Sequence, residues 1–354
     1  MFELNNILRE NIKKLVPYSS ARDEYKGKEG VFLDANENSF GAPLSIDSKY
    51  CEGMNRYPDP LQLDVKRKLS KIKGLPVQNI FLGNGSDEAI DILFRAFCDP
   101  QKDNVIICPP TYGMYEVSAN INDVNVIKVP LLPESFQLDE IRILKAINEN
   151  TKIIFICCPN NPTGNGVSQN TIKILLEKFK GVVVIDEAYI NFASYRSLIP
   201  ELLNYPNLVI LQTLSKAWGL AGLRVGMAFA SEVIIDVFNK IKPPYNINIV
   251  SQKIVLEALE NVQQVNEWIK KIVEDREKLI LEISKLSFVR KVYKSEANFI
   301  LVKVDDANAL YNYLTLNQIV IRDRSRVTLC EGCLRITIGT TEENVLVLEK
   351  LIKF

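Results

Sequence analysis

The segment Thr213-Leu-Ser215-Lys216-Ala-Trp-Gly-Leu-Ala-Gly-Leu-Arg224 places an amine directly after a hydroxyl and eight positions before a guanidinium. It follows Leu208-Val-Ile-Leu211, an apolar run that reads as a buried strand. The end of a buried strand is a rigid platform, and open α/β sheets gather their ligands at such ends. A lysine there can form an imine with a carbonyl carbon, while Ser215 and Arg224 hold a phosphate on the same molecule. The chemistry this spacing suits is covalent capture of a phosphorylated aldehyde.

Pyridoxal 5'-phosphate (PLP) fits that description, and it makes further demands: phosphate donors, an anion at the ring nitrogen, donors at the phenolic oxygen and a flat face for the ring. Gly83-Asn-Gly85-Ser86-Asp-Glu88 reads as a glycine turn running into a helix with Ser86 as N-cap, and free N–H groups at a helix start attract phosphate. A plain helix cap would read the same way. Glu88 stands where G-x-G-x-x-G needs its third glycine, so the dinucleotide fingerprint fails. Tyr112, in Pro109-Pro-Thr-Tyr112-Gly, offers a flat plate or is an ordinary half-buried tyrosine. Asn161, in Pro159-Asn-Asn161-Pro-Thr-Gly164, offers an amide donor or marks a turn. Val182-Val-Val-Ile185-Asp186-Glu-Ala-Tyr189 is a buried strand ending in an acid. Asp186 either caps the next element or pairs with a pyridinium, raising that nitrogen's pKa by roughly 1–3 units. Tyr189 would then join Asn161 at the phenolic oxygen. Each candidate has a bland reading alone. All fall at expected strand ends, and together they meet every demand of one cofactor.

Composition narrows the chemistry further. The chain has no histidine, which removes Ser-His-Asp and Cys-His nucleophiles, His-ligated metals and histidine proton shuttles. A lysine that serves as both nucleophile and base survives this filter. Lys+Arg and Asp+Glu are both 43, which gives no support for a nucleic-acid partner. The seven cysteines read as buried, reduced thiols of a cytoplasmic protein. Cys330 and Cys333 form one C-x-x-C with no second pair to complete a zinc site, so no metal is expected. The N-terminus lacks the continuous apolar core of a signal peptide, and no apolar run approaches the ~18 residues of a membrane span.

These groups need a scaffold. Between about residues 80 and 230, strand candidates 105–108, 124–129, 152–157, 182–185, 208–211 and 225–230 alternate with helix candidates 86–97, 112–120, 139–148 and 168–179. Such alternation predicts an α/β fold with a largely parallel sheet flanked by helices. The step from 208–211 to 225–230 is short for a helical crossover, so one strand is expected to run antiparallel. Residues 248–286 read as long helix. The C-terminal stretch, with strands 297–303, 319–322 and 333–338 and helices 306–317 and 341–353, reads as a smaller α+β domain. The expected division is an N-terminal arm with part of the small domain over 1–45, a large domain over 46–270 and the small domain over 271–354.

At this point the sequence resembles the fold type I PLP-dependent aminotransferases over nearly its whole length. Pro17-Tyr18, Asp34-Ala-Asn36-Glu-Asn38, Asn55-Arg-Tyr57-Pro58, Pro109-Pro-Thr-Tyr112-Gly-Met-Tyr115, Asn160-Asn161-Pro-Thr-Gly164, Asp186-Glu-Ala-Tyr189, Ser215-Lys216 and Leu334-Arg335 carry the likeness. The tyrosine-rich N-terminal part and Pro-Pro-Thr-Tyr-Gly-Met-Tyr are similar to the histidinol-phosphate branch of that family. The stretch 323–334 matches least. The resemblance implies a seven-stranded, mostly parallel sheet with one antiparallel strand. It implies that Lys216 forms the Schiff base and that Ser215, Arg224 and the Gly85-Ser86 turn bind the cofactor phosphate. It also implies that Tyr112 stacks on the ring, Asp186 holds the ring nitrogen, and Asn161 with Tyr189 holds the phenolic oxygen. Tyr57 would reach the neighbouring subunit's cofactor, making the active unit a homodimer. Arg335 would take the glutamate carboxylate and the phosphate of histidinol phosphate, with Tyr18, Asn36 and Arg322 around the substrate. The implied reaction exchanges an amino group between histidinol phosphate and 2-oxoglutarate. An aromatic amino-acid aminotransferase and a PLP-dependent phospho-amino-acid decarboxylase are the alternatives.

Overall fold

The computed structural model describes residues 30–34, 36–40 and 55–354. Its chain order opens with strand β1 (Val31–Phe32) and helix α1 (Leu63–Lys73), then β2 (Ile80–Asn84), α2 (Gly85–Phe97), β3 (Asn104–Ile107), α3 (Met114–Ile121), β4 (Asn125–Lys128) and α4 (Glu140–Ala146). It continues with β5 (Thr151–Cys157), α5 (Gln169–Lys178), β6 (Val182–Asp186), β7 (Leu208–Thr213), β8 (Val225–Ala230), α6 (Glu232–Ile241), α7 (Ile249–Ala258) and α8 (Val262–Ile283). The remainder is β9 (Val289–Val292), β10 (Phe299–Val304), α9 (Ala307–Leu316), β11 (Ile319–Val320), β12 (Arg322–Asp323), β13 (Cys333–Thr337) and α10 (Thr341–Ile352).

Seven strands form one sheet in the order β2-β8-β7-β6-β5-β3-β4. Its central strands are apolar on both faces because helices cover both. Ile154, Val183, Ile185 and Ile210 enter one apolar cluster, and their neighbours Ile153, Val184, Val209 and Leu211 enter another on the opposite face. β3–β4, β3–β5, β5–β6 and β6–β7 pair in parallel. β8 pairs antiparallel with β7 and with β2. The expected antiparallel strand is therefore β8, and its cause is the short connection from β7, too short for a crossover helix.

The glycine turn expected ahead of α2 overlaps an edge strand that was not foreseen: Ile80–Asn84 is β2 and completes the seven. Its apolar run is only Ile80-Phe-Leu82, cut short by Gly83 and Asn84. The long helix expected over 248–286 is two helices, α7 and α8, broken around Leu259–Asn261. β9 was not foreseen; its sequence, Val-Arg-Lys-Val, alternates over too few residues to stand out.

A second sheet, β12-β13-β10-β9, is antiparallel throughout. In it Arg322 lies directly opposite Arg335. β1 pairs in parallel with β11, so the strand at Val31 lies beside a C-terminal strand. Helix α10 begins with a capping box in which Thr340 and Glu343 satisfy each other's backbone N–H groups.

Candidate active site

The ends of β5, β6 and β7 and the start of α2 open into one cavity of about 260 Å³. Lys216, Asp186, Asn161, Tyr189 and Tyr112 line it. So do Gly85, Ser86, Ser215, Arg224, Asn36, Arg322 and Arg335. Sequence reasoning had singled out every one of these. Tyr57 does not line it: that ring is 80% exposed and stacks flat on Tyr245 with centroids 4.4 Å apart. Tyr18 lies outside the described residues.

One end of the cavity is built from two backbone turns. Helix α2 starts at Gly85, with Asn84 at the N-cap position and no side-chain cap. Ser86 is therefore in the first turn rather than at the cap. The first-turn N–H groups have no partners within the helix, which is what an anion site needs. Arg224 has left-handed backbone (φ 54°), and its carbonyl accepts from Gly85 N at 2.9 Å. Gly85 has φ +71°, a left-handed conformation that favours glycine, and a Cβ there would push the Arg224 guanidinium aside, standing 2.6 Å from its Nη2. Asp87 pairs with that guanidinium at 3.5 Å and accepts from the Tyr112 hydroxyl at 3.0 Å. Thr213 and Ser215 hydroxyls bond at 3.0 Å.

Asp186 is 3% exposed at the end of β6. Tyr115 Oη donates to its Oδ2 at 2.7 Å and Ala188 N to its Oδ1 at 3.1 Å. Burial pushes this carboxyl up to about 6, against the lowering effect of those two donors. Lys216 lines the same cavity, and its Nζ lies 5.9 Å from the Tyr189 ring centroid. Burial first, and then the Arg335 charge, lower its amine to about 8. A lysine so shifted supplies free amine near neutral pH.

Tyr189 Oη accepts from Asn36 Nδ2 at 3.1 Å and from Asn161 Nδ2 at 3.4 Å. Asn36 is locked in turn by Thr337, whose hydroxyl donates to Asn36 Oδ1 at 2.9 Å, and by Asn298, whose amide donates to the Asn36 carbonyl at 3.0 Å. Arg335 is 3% exposed; its Nη1 donates to Asn161 Oδ1 at 2.7 Å and its Nη2 to the Asp34 carbonyl. Its guanidinium lies 5.2 Å from the Phe299 centroid, which fixes its plane.

Sequence reasoning missed Asp34, Asp87 and Cys157 at the cavity and gave Tyr115, Thr337 and Asn298 no role. Asp87 was legible as an acid in the first turn of α2. The others act through tertiary contacts that carry no local signal. Cys330 and Cys333 are both buried and free, and the Cys333 N–H donates to the Cys330 carbonyl at 2.9 Å.

The donor set can be tested against PLP. It offers a left-handed glycine turn and a guanidinium at a helix start, a buried carboxylate with no cation paired to it among the described residues, an amide and a phenol together, and a buried amine with a lowered pKa. Each element matches one group of the cofactor, so the residues fit it.

The aminotransferase class I and II family profile matches residues 29–351. A histidinol-phosphate aminotransferase of Cytophaga hutchinsonii is 55% identical over 350 residues, spanning 99% of each chain. Among solved structures, the histidinol-phosphate aminotransferase from Clostridium acetobutylicum superposes with a TM-score of 0.84 at 26% identity, covering 91% of this chain and 98% of that one. The Sinorhizobium meliloti histidinol-phosphate aminotransferase in complex with pyridoxal-5'-phosphate gives a TM-score of 0.86 at 22% identity, over 98% and 97%, a likeness of fold.

Proposed function

We infer the reaction from one premise: this chain belongs to the aminotransferase class I and II family, and is a PLP-dependent aminotransferase of the fold type I kind. We propose that it moves the amino group of histidinol phosphate to 2-oxoglutarate, giving imidazole-acetol phosphate and glutamate. The observation that carries this reading is that an end-to-end likeness to histidinol-phosphate aminotransferases coincides with a cavity holding Lys216, Asp186 and Arg335 together.

When bound, PLP would supply a carbonyl carbon for the lysine and a ring that accepts electrons from the substrate carbon. Lys216 would hold the cofactor and, when its amine is free, would be the base beside the α-carbon. Its Nζ would take and return the substrate's α-proton, so one group would be nucleophile and proton carrier. Asp186 would face the ring nitrogen and keep it protonated. Asn161 and Tyr189 orient the ring through its phenolic oxygen, and Tyr112 covers one face. Ser215, Arg224, Gly85 and Ser86 fix the phosphate. Arg335 binds the substrate anion; a guanidinium fork accepts carboxylate or phosphate, so both half-reactions use one site. Arg322, opposite Arg335 on the neighbouring strand, would take the distal phosphate with Tyr18, and Asn36 holds Tyr189 toward the substrate.

The active unit in this reading is a homodimer, with Tyr57 serving the partner's cofactor. Its exposure, and its place outside its own chain's cavity, support that role. The small unit around the second sheet, joined by β1, would be the part that carries Arg335 to the substrate. The setting would be cytoplasmic: the six described cysteines are free and buried. Among the described residues no helix is long and apolar enough to cross a membrane.

A single-turnover experiment tests the substrate. PLP-loaded enzyme is mixed separately with histidinol phosphate, phenylalanine and tyrosine, and the loss of the lysine-bound cofactor's absorbance is followed. Histidinol phosphate should react fastest, with no carbon dioxide released. A faster aromatic amino acid, or carbon dioxide in place of amine transfer, would contradict the assignment.

A further inference from the structure

We propose that Tyr115 is a positioning residue for the reaction: its hydroxyl holds the Asp186 carboxylate so that the proton shared with the cofactor's ring nitrogen stays on the nitrogen. The inference rests on the reading above, in which Asp186 faces that nitrogen.

Tyr115 lies on α3, fully buried, with its Oη 2.7 Å from Asp186 Oδ2. Its ring stacks on Phe155 of β5 (centroids 4.8 Å apart, planes 15° from parallel) and stands edge-on to Tyr112 at 5.5 Å. The ring packing fixes the phenol oxygen beside the carboxylate, with the Cys157 thiol as its other neighbour. The same residue abuts the tyrosine that lines the cavity and fixes the acid beneath it.

The groups facing the carboxylate are Tyr115 from α3, Cys157 from β5, Asp87 from α2, and Ala188, Glu187 and Tyr189 from its own segment. None is a cation. Burial and the Asp87 and Glu187 charges all raise the carboxylate's proton affinity, and Tyr115 is the largest opposing influence. Burial and the Asp186 charge keep the Tyr115 phenol protonated, so it donates across the working pH range.

A carboxylate that already accepts a strong hydrogen bond is a weaker base. Without the Tyr115 hydroxyl, Asp186 would draw the bridging proton onto its own oxygen and leave the ring nitrogen neutral. A neutral ring accepts electrons poorly, so the substrate's α-proton would be lost more slowly. No atom is gained or lost in this shift; one proton changes side within a hydrogen bond.

The test uses holoenzyme loaded with PLP labelled with ¹⁵N in the ring, in wild-type and Tyr115→Phe forms. The Phe ring keeps both aromatic contacts. The wild-type ring nitrogen should give a pyridinium-like NMR shift, and Tyr115→Phe should move it toward neutral pyridine. In the same variant kcat should fall about tenfold, and the acid limb of its pH profile should move up by about one unit, the size of one hydrogen bond to a charged group. Incorporating 3-fluorotyrosine at position 115 keeps ring and hydroxyl, folds where Phe fails, and donates more strongly; it should move the acid limb down. An unmoved ¹⁵N shift in Tyr115→Phe overturns the proposal even where stability falls, and so does an acid limb that ignores fluorotyrosine. A neutral ring nitrogen in the wild type removes the Asp186 assignment itself, and the proposal with it.

Discussion

Arg335 Nη1 donates to the side-chain oxygen of Asn161 at 2.7 Å, tying the anion-binding guanidinium to the amide that faces Tyr189. The bond settles which end of the amide points where: oxygen to Arg335, nitrogen toward Tyr189 and the cavity. The arginine proposed to receive substrate thus orients a group that would hold the cofactor.

Replacing Arg335 by Leu should retain PLP, held more weakly because Asn161 loses its partner, and cripple both half-reactions. Removing one partner of a buried, hydrogen-bonded charge pair costs at least about 2 kcal/mol, so kcat/KM should drop roughly 30-fold or more for histidinol phosphate and for glutamate alike. Steady-state kinetics with each substrate checks this; unimpaired glutamate turnover would remove Arg335 from the substrate site.

The lowered pKa of Lys216 has a kinetic signature. Only the neutral amine attacks an aldehyde, and the neutral fraction grows as pH rises through the pKa. With the amine at about 8 rather than the ordinary 10.5, PLP capture by apoenzyme should accelerate up to a midpoint near 8 and level off above it. Stopped-flow absorbance against pH reads this midpoint. A rate still climbing beyond pH 10 would mean that Lys216 is not in the environment described.

Gly226 of β8 is where the Gly85–Ser86 turn meets the sheet. A Cβ there would lie 2.2 Å from Ser86 N and 2.3 Å from the Gly85 carbonyl carbon, both backbone atoms that have no room to give. Gly226→Ala should therefore cost about 1–3 kcal/mol of stability and weaken PLP binding. Thermal melting and fluorescence titration with PLP would show it, and a variant with native melting and affinity would refute the close approach.

Tyr57 can be tested by mixing two damaged chains. Tyr57→Ala retains Lys216, and Lys216→Ala retains Tyr57. In a mixed dimer one site receives both intact groups if Tyr57 acts across the interface. Co-refolded chains should exceed the summed activity of the two parents; no gain would place Tyr57 outside the partner's site.

The cavity was legible because its chemistry sits at strand ends in short, residue-specific runs: Ser215-Lys216, Asp186 after Val182-Val-Val-Ile185, Asn161 among prolines. The apolar runs of β5, β6 and β7 announced their strands for the same physical reason, burial on both faces. The edge strand β2 did not, because glycine and asparagine dominate its end. Asn298 and Thr337 lie far along the chain from the groups they fix, and periodicity says nothing of such partners. Ser86 was mistaken for the cap because its type favours capping, whereas the helix starts one residue earlier, where Gly85 adopts φ 71°.

The central claim is that Lys216 holds the cofactor covalently. Borohydride reduction of PLP-loaded enzyme, followed by proteolysis and mass spectrometry, reads it directly. The account predicts a single phosphopyridoxyl adduct, on Lys216. An adduct on another lysine, or none at all, would contradict it.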